Sequence, residues 1–543
     1  MSDKINKGTD VKTIVSAIVF LLSLLVVVFF IFTRERTIFN VDYTDSLIWA
    51  AASVEGHSFV NHDFWYAYII PFSGSLLMIP LVKIFGVTYL AHELGMTLFA
   101  FVFALSLLFG FKSLGMAMQK SLLGTGMIML LLCSSSITRM IFFGHVIHYS
   151  LAMVFTCVAY ILLSRLECLY KEKYDLKQKI CYLLLLLWTY LCCLNGSSAV
   201  MLFFCPVAGA LVLERMLDRT EIRFDNIKLP LLRLIGMAFA GGAGFLTKRY
   251  CIQPYFDNSY EESFSAILSH DEWFFKEQSF MVRFSTLLTD WVYDGTPMLS
   301  LDGMLILLRL VLAVLLITVP FIALFFYKRC QNRMMRIALL AYWILFLLTQ
   351  LTYSIAKIQE ANWRLAALMG MSMIVSITYL MWALKEPFYS RFAYLMIGVF
   401  AAASCAGVLS VVSITPDSSV NGYERLLSVL DENDLTYGYT ELWGGANVIT
   451  VLSDSKIKAR AIRFDGDGDY SIERYQSQAS WYDDQPGVDK YYIVVPNEQL
   501  EECTDTLVSN STEQIPFEES TILVFDHNLF RDGKAVYTSE KSN

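Results

Sequence analysis

Apolar runs of about 20 residues recur along the first three quarters of this chain, and they constrain its fold more than any other feature. A helix of that length matches the hydrocarbon thickness of a bilayer. The mean hydropathy of the 543 residues is +0.50, and 56% of them are hydrophobic. The sequence therefore predicts a mainly α, polytopic transmembrane helix bundle rather than a soluble domain.

Eleven of these runs are predicted to cross the membrane. The first follows a polar N-terminal segment and has no small-residue cleavage site, which favours a retained span over a signal peptide. The predicted spans are 13–32, 89–111, 121–138, 148–166, 180–194, 197–213, 230–247, 303–327, 337–356, 363–384 and 392–412.

A further apolar run, 64–86, decides the orientation of the whole bundle. It is long enough to cross, but Pro71, Pro80 and Lys83 interrupt it. If it does not cross, the loops rich in Lys and Arg (112–120, 165–179, 215–228, 328–336 and 385–391) all lie on one side, which the positive-inside rule makes cytoplasmic. We therefore expect 64–86 to lie on the outer face, with the N-terminus inside and the C-terminal residues outside.

This orientation places all seven histidines at or beyond the outer boundary, although only Lys and Arg were used to derive it. Any chemistry is therefore expected outside the cytoplasmic membrane. The histidines are His57, His62, His92, His145, His148, His270 and His527.

The last part of the chain is predicted to be a separate, water-facing domain. Residues 417–543 contain 24 Asp and Glu against 10 Lys and Arg, a net charge of −14, whereas residues 1–416 carry +6. Helical and strand-like patterns alternate there, which indicates a small C-terminal extracytoplasmic α/β domain at 417–543 after a transmembrane domain at 1–416. An acidic surface also argues against nucleic acid as a partner.

Two carboxylates, Asp42 and Asp45, stand just beyond the first span. They are followed by "SLIWAAASVEGHSF", which predicts an amphipathic helix of about three turns ending at Gly56. An acidic pair at this place can simply solvate the membrane boundary. The helix after it instead suggests an acid held at the outer lipid head groups.

This arrangement resembles the GT-C superfamily of membrane glycosyltransferases, in particular the protein O-mannosyltransferases and the lipid A aminoarabinose transferases. The matching features are Asp45 with its helix, Pro71, and the closing "KIFG" at 83–86. The second acidic position of the family motif is Ser46 here, so that either Asp45 acts alone or Asp42 assists it. The resemblance implies interfacial helices in the first external loop and a polyprenyl-phosphate-linked sugar as donor.

Transfer of a sugar from a lipid phosphate needs a base for the acceptor hydroxyl and cations for the departing phosphate. Asp45 is the candidate base. Lys357 and Arg364 are leading candidates for the phosphate, because they separate two spans with almost no loop and the family carries Lys or Arg between late spans. Residues of this kind can equally snorkel to lipid head groups. The other binding candidates are Arg139, His148, Lys248, Arg249 and His62.

Two segments depart from the family pattern. Family members often follow an Arg between the third and fourth spans with an acid, and this chain has Arg139 followed by His145 and His148. The "NGSS" at 195–198 occupies an outer turn where related enzymes tend to have a Lys.

The sequence thus predicts an integral-membrane glycosyltransferase of the cell envelope that acts on an acceptor glycan or protein. A transporter or flippase of lipid-linked substrates, and a non-catalytic GT-C-like scaffold, remain alternatives. No cofactor is certain. Some members of the superfamily use a divalent cation and others do not, so a divalent cation stays open.

Overall fold

The computed structural model describes residues 2–171, 173–218, 224–255, 266–290, 295–357, 361–387, 389–466 and 468–538. Within them the chain forms two compact units. The first comprises residues 1–30, 98–254 and 259–413, and the second comprises 31–97, 255–258 and 414–543. The last segment of the second unit begins at residue 414, close to the predicted domain boundary at 416. The second unit also includes the first loop.

Ten helices of the described chain are long and apolar enough to cross a membrane. An eleventh span is counted if Met118–Leu131 and Ser136–Gly144, which meet at an angle of 119°, form one bent element. This confirms the predicted bundle of about eleven spans. The ten helices are Val11–Thr33, Tyr89–Ser113, His148–Arg165, Leu176–Cys193, Ser197–Leu217, Lys228–Ile252, Leu301–Phe325, Arg333–Ile355, Asn362–Ala383 and Ser390–Val412.

The helix Asn362–Ala383 is the centre of the first unit. Its most apolar stretch is 94% buried, against 22% for the helix Lys228–Ile252. A helix that is apolar on all sides and rich in small residues can be packed against on every face. Gly370 and Ser372 supply such small positions, and Met153 packs directly against Gly370.

The interrupted run 64–86 contains no helix long enough to span a bilayer. It forms a two-residue strand, β1 (Phe64–Trp65), and an eleven-residue helix, Ser75–Phe85. Eleven residues rise only about 16 Å at 1.5 Å per residue, roughly half the hydrocarbon thickness. The prediction that this segment does not cross is confirmed, whereas its side of the membrane remains a prediction.

The second unit combines the first loop with a six-stranded sheet. The loop contributes the helix Val41–Glu55, β1 and the helix Ser75–Phe85. The C-terminal residues contribute the helix Gly422–Glu432 and nine strands: β2 (Tyr437–Glu441), β3 (Lys458–Gly466), β4 (Asp469–Ile472), β5 (Ser477–Gln478), β6 (Tyr491–Pro496), β7 (Glu513–Phe517), β8 (Ser520–Phe525), β9 (Phe530–Arg531) and β10 (Lys534–Ala535).

The sheet has the order β4-β3-β2-β6-β8-β7, with β2 parallel to both β3 and β6 and the other pairs antiparallel. Leu426 and Leu430 of the helix Gly422–Glu432 pack on Tyr492 and Ile522 of the sheet. The predicted α/β character of the C-terminal residues is confirmed. The short strand β5 pairs antiparallel with β1 of the first loop, outside the main sheet.

Candidate active site

The candidate base, Asp45, lies in the second turn of the helix Val41–Glu55. The sequence places the start of this helix at Asp45, but the helix begins four residues earlier. The reason is Asn40, whose side-chain oxygen accepts a hydrogen bond from the backbone N–H of Asp42 at 3.0 Å and caps the helix. Asp42 therefore occupies the first turn. The helix ends at Glu55 with Gly56 as its C-cap, as predicted.

The carboxylate of Asp45 is buried and is held by two residues from outside its helix. Asp45 is 2% exposed. Its Oδ2 accepts a hydrogen bond from the Tyr68 hydroxyl at 3.3 Å, and its Oδ1 accepts one from the side-chain amide of Gln476. The two hydrogen bonds fix the orientation of the carboxylate.

Gln476 is itself fixed on both sides by backbone hydrogen bonds. Its N–H donates to the carbonyl of Trp65 at 2.8 Å, and its carbonyl accepts from the Asn447 side chain at 3.0 Å. The residue has a φ of +56°, a conformation that non-glycine residues adopt rarely. The pairing of β1 with β5, which begins at the next residue, maintains this strained turn.

Burial raises the pKa of Asp45 well above its ordinary value, and the negative charge of the half-buried Asp42 raises it further. The hydrogen bonds from Gln476 and Tyr68 lower it in part, since they stabilise the charged form. Asp42 also contributes, after burial, to a raised pKa of Tyr423. A carboxylate with a raised pKa is a stronger proton acceptor than an ordinary one once it is ionised.

The first unit contains a group of four basic side chains, His145, His148, Lys248 and Arg364, which we call the basic cluster. The imidazole of His148 interacts electrostatically with the other three. His145 and Lys248 are buried, and His148 and Arg364 are half-buried. Three of the predicted phosphate-binding residues, His148, Lys248 and Arg364, thus come together, and His145 joins them.

The side chain of Lys248 lies against the "NGSS" turn, which has no lysine of its own. Gly196 in this turn has a φ of +78°, and a Cβ built on it would lie 2.8 Å from Cδ and 2.9 Å from Nζ of Lys248. Only a glycine leaves room for the ammonium group at this place. The turn has no lysine in its own sequence, and Lys248 of the later helix Lys228–Ile252 places one beside it.

Arg139 is buried but is held apart from the basic cluster. Its Nη1 donates to the carbonyl of Cys133 at 2.7 Å, and its guanidinium lies 5.7 Å from the centroid of the Phe30 ring. It follows the 119° bend of the helix pair, where Ser135 and Thr138 form a capping box. Arg139 also interacts electrostatically with Arg309.

The remaining predicted residues have exposed side chains. Lys357 and Arg249 are both exposed, and among the described residues no side-chain hydrogen bond or ion pair holds either of them. His62 is exposed in the loop after the helix Val41–Glu55 and belongs to the second unit. The structure thus assigns Asp42, Asp45 and His62 to the second unit and the predicted cations to the first.

Two residues of this site were missed in the sequence analysis. Tyr68 is the last residue of an aromatic segment, "FWYAY" at 64–68, in which nothing singles it out. Gln476 lies in the C-terminal residues, 431 positions from Asp45, and no local pattern marks it. In the described residues no group of three or more His, Cys, Asp or Glu side chains is placed to hold a metal ion.

No protein-family model matches this sequence, and no curated protein matches it either. Two solved structures of ArnT from Cupriavidus metallidurans, a lipid A aminoarabinose transferase, do match the fold. The apo structure is 11% identical, with a TM-score of 0.51 over 96% of this chain and 98% of that chain. The structure bound to undecaprenyl phosphate is 10% identical, with a TM-score of 0.51 over 95% and 98%. The chain therefore shares the fold of these two structures, which agrees with the predicted GT-C architecture.

Proposed function

We propose that this protein is an integral-membrane glycosyltransferase that moves a sugar from a polyprenyl-phosphate donor to a hydroxyl group of an acceptor. The observation that carries the proposal is the buried carboxylate of Asp45, oriented by Tyr68 and Gln476. Support also comes from the fold, which is similar to that of an enzyme solved with undecaprenyl phosphate bound.

In this proposal Asp45 acts as the general base. It accepts the proton of the acceptor hydroxyl while the hydroxyl oxygen forms a bond to the anomeric carbon of the donor sugar. The bond between that carbon and the phosphate oxygen breaks, and its electron pair leaves with the polyprenyl phosphate. One in-line displacement of this kind inverts the anomeric centre. The raised pKa of Asp45 suits the role, because a base works best when its pKa lies near the operating pH.

We also propose that the basic cluster of the first unit binds a phosphate group. Fixed cations in a partly buried site stabilise the negative charge of a phosphate more than solvated cations do. Lys248 contributes an ammonium group, Arg364 a guanidinium group, and the histidines offer N–H donors. Lys248 and His145 are buried, so their positions are set before the donor binds.

The test is the substitution Asp45→Asn in the full-length protein. Asn keeps the size of the side chain and can still accept a hydrogen bond from Gln476, but it cannot take up a proton. We expect the rate of polyprenyl phosphate release from a labelled polyprenyl-phosphate sugar to fall at least 100-fold, the scale of general-base catalysis. Asp431→Asn, an exposed carboxylate at the end of the helix Gly422–Glu432, is the matched control and should retain full activity.

The same assay separates this proposal from the other classes. A transporter or flippase moves the donor without cleaving it, and a scaffold leaves it intact. Release of free polyprenyl phosphate at an unchanged rate from the Asp45→Asn variant would remove Asp45 from the mechanism. Absence of any release from the wild-type protein, with every acceptor tried, would refute the enzymatic proposal.

A further inference from the structure

The second unit contains a pocket of about 680 Å³ that is distinct from the carboxylate site of Asp45. Glu55, at the end of the helix Val41–Glu55, forms one side of it, and the loop after that helix forms another. The strand pair β1–β5 and the segment after β5 complete the lining. The side chains that matter for the inference are Glu55, His62, Asp63, Trp65, Gln478 and Asp483.

Gln478 shows that the pocket has a built polar wall. Its side chain is 93% buried, since only 7% of the residue is exposed. The side-chain Nε2 donates to the Ser480 hydroxyl at 2.8 Å, whereas Oε1 has no hydrogen-bond partner in the described part of the chain. A buried amide oxygen without a partner is unfavourable, so that a ligand hydroxyl that bonded to it would be favoured.

Trp65 gives the pocket an aromatic wall. The residue pairs with Ser477 in the β1–β5 ladder, which fixes its backbone. The guanidinium of Arg474 lies 5.3 Å from the centroid of its ring. A half-buried indole fixed in this way offers apolar area to the C–H faces of a sugar ring.

The charge of the pocket selects against anions. Three carboxylates, Glu55, Asp63 and Asp483, contribute to the lining, and no Lys or Arg of the described residues does, the nearest guanidinium being that of Arg474 against the Trp65 ring. A phosphate or carboxylate group on a ligand would face like charges, which is strongly unfavourable in a binding site. Carboxylates and amides are instead good hydrogen-bond partners for uncharged hydroxyl groups.

We propose that this pocket binds an uncharged sugar unit of an acceptor glycan. The inference rests on the proposed glycosyltransferase function and names the class of acceptor as a neutral glycan. Glu55 and Asp45 lie on one helix, ten residues apart, which is about 15 Å along the helix axis at 1.5 Å per residue. A glycan held at this distance from the reacting hydroxyl contributes binding energy that positions the acceptor.

The proposal is tested by saturation-transfer NMR on the full-length protein in nanodiscs. The probes are mannotriose and chitotriose, which are uncharged, and trigalacturonate, which is anionic. At least one uncharged trisaccharide is expected to bind, and trigalacturonate is expected to bind at least tenfold more weakly.

Ala479→Trp is the blocking variant, because Ala479 is exposed and lines the pocket, so that a large side chain there fills the space without disturbing the core. It should weaken trisaccharide binding at least tenfold. Ser428→Trp, at an exposed position of the helix Gly422–Glu432, is the matched control and should bind as the wild type does. Gln478→Ala should also weaken binding, which reports on the unpaired amide oxygen.

Three outcomes overturn the inference: none of the probes binds, trigalacturonate binds as well as the uncharged probes, or binding survives Ala479→Trp. The Asp45→Asn variant should still bind the trisaccharide. Loss of catalysis in that variant is read from polyprenyl phosphate release, so that failure of the pocket proposal and failure of the proposed function give different results.

Discussion

The side-chain amide of Gln476 donates a hydrogen bond to the carboxylate of Asp45 across a separation of 431 residues in the chain. This contact joins the first loop to the C-terminal residues within one compact unit. Burial raises the pKa of Asp45, and the hydrogen bond from Gln476 lowers it in part. Five predictions follow from the geometry of the two units, and the first two concern Asp45.

The pH dependence of activity should report the protonation of Asp45. A general base must be ionised, so kcat/KM should fall as the pH drops through the raised pKa of Asp45, at a higher pH than for an ordinary carboxylate. Asp42→Asn removes the neighbouring charge and should move this acid limb to lower pH. Tyr68→Phe removes a hydrogen bond to the charged form and should move it to higher pH. Equal profiles for all three proteins would exclude Asp45 as the titrating group.

Asp45→Asn should make the protein more stable at neutral pH. The pKa of Asp45 in the folded state is above its unfolded value of about 3.9, so the folded state holds the proton more tightly. This tighter proton binding adds to the free energy of unfolding in full below the unfolded pKa of Asp45. The added stability is lost as the pH rises through the folded pKa. The gain in Tm of the variant should therefore be larger at pH 8 than at pH 4. Asp431→Asn, an exposed acid, should change Tm little at either pH.

Gly196 and Lys248 should act together in donor binding. Lys248→Met should raise the KM for the polyprenyl-phosphate donor about tenfold or more, because one charge-assisted contact to phosphate contributes about 1.5–3 kcal/mol. Gly196→Ala should reproduce part of this effect, since its Cβ would displace the ammonium group and its φ is +78°. Lys328→Met, at an exposed lysine between two other spans, is the control. A normal donor KM in the Gly196→Ala variant would contradict the assigned place of Lys248.

Asn421 should stabilise the second unit by joining the helix Gly422–Glu432 to the first loop. Its side chain donates to the carbonyls of Arg36 at 3.0 Å and Phe39 at 3.1 Å, and it accepts from the N–H of Tyr423 at 2.9 Å. Asn421→Ala should destabilise the unit by about 2–3 kcal/mol, from the lost helix cap and two unpaired carbonyls. Amide hydrogen exchange should increase in both the first loop and the helix Gly422–Glu432.

The matched control for that experiment is Asn433→Ala. Asn433 lies at the other end of the same helix, and its side chain donates a hydrogen bond to the carbonyl of Val429 at 2.8 Å. We expect Asn433→Ala to lower the free energy of unfolding by about 1 kcal/mol and to leave amide hydrogen exchange around Arg36 unchanged. If exchange in the first loop stays normal in Asn421→Ala, the two segments do not unfold together.

The predicted orientation can be tested by labelling introduced cysteines. Cys251 and Cys405 are exposed native cysteines, and both are first replaced by Ala. Lys173→Cys, in the predicted cytoplasmic loop 165–179, should stay protected from a membrane-impermeant maleimide in intact cells. Ser428→Cys should react, because the C-terminal residues are predicted to be outside. Reaction at position 173 would invert the orientation.

The membrane bundle was predictable from the sequence because its signals are local. A run such as that of the helix Leu301–Phe325 is apolar over a full bilayer thickness, whereas the run 64–86 is interrupted at Pro71, before the helix Ser75–Phe85 begins. The strand-like patterns of the C-terminal residues also indicated the α/β character of that part. Strand β2 gives a weaker local signal because it contains Gly438, where only a glycine fits since Tyr492 packs directly against it.

The arrangement of the site could not be predicted, because it depends on contacts between distant segments. Arg36 of the first loop pairs with Glu424 and donates to the carbonyl of Leu452 at 3.0 Å, although 388 and 416 residues separate it from these partners. Glu35 and His92 were unremarkable in sequence, yet both are fully buried, with Oε2 and Nε2 3.3 Å apart. Burial raises the pKa of Glu35 well above its ordinary value. No local pattern indicates which polar residue a remote segment will cover.

The pairing of β1 with β5 has a consequence for how the protein is made. The partner of Phe64 is Gln478, so about 400 residues leave the ribosome between the two halves of the ladder. At 5–20 residues per second this takes roughly 20–80 s. Throughout that interval β1 of the first loop has no β5 to pair with. Asp45 also lacks the hydrogen bond from the side-chain amide of Gln476. Maturation of the second unit is therefore a late event, completed only after Gln478 has been synthesised.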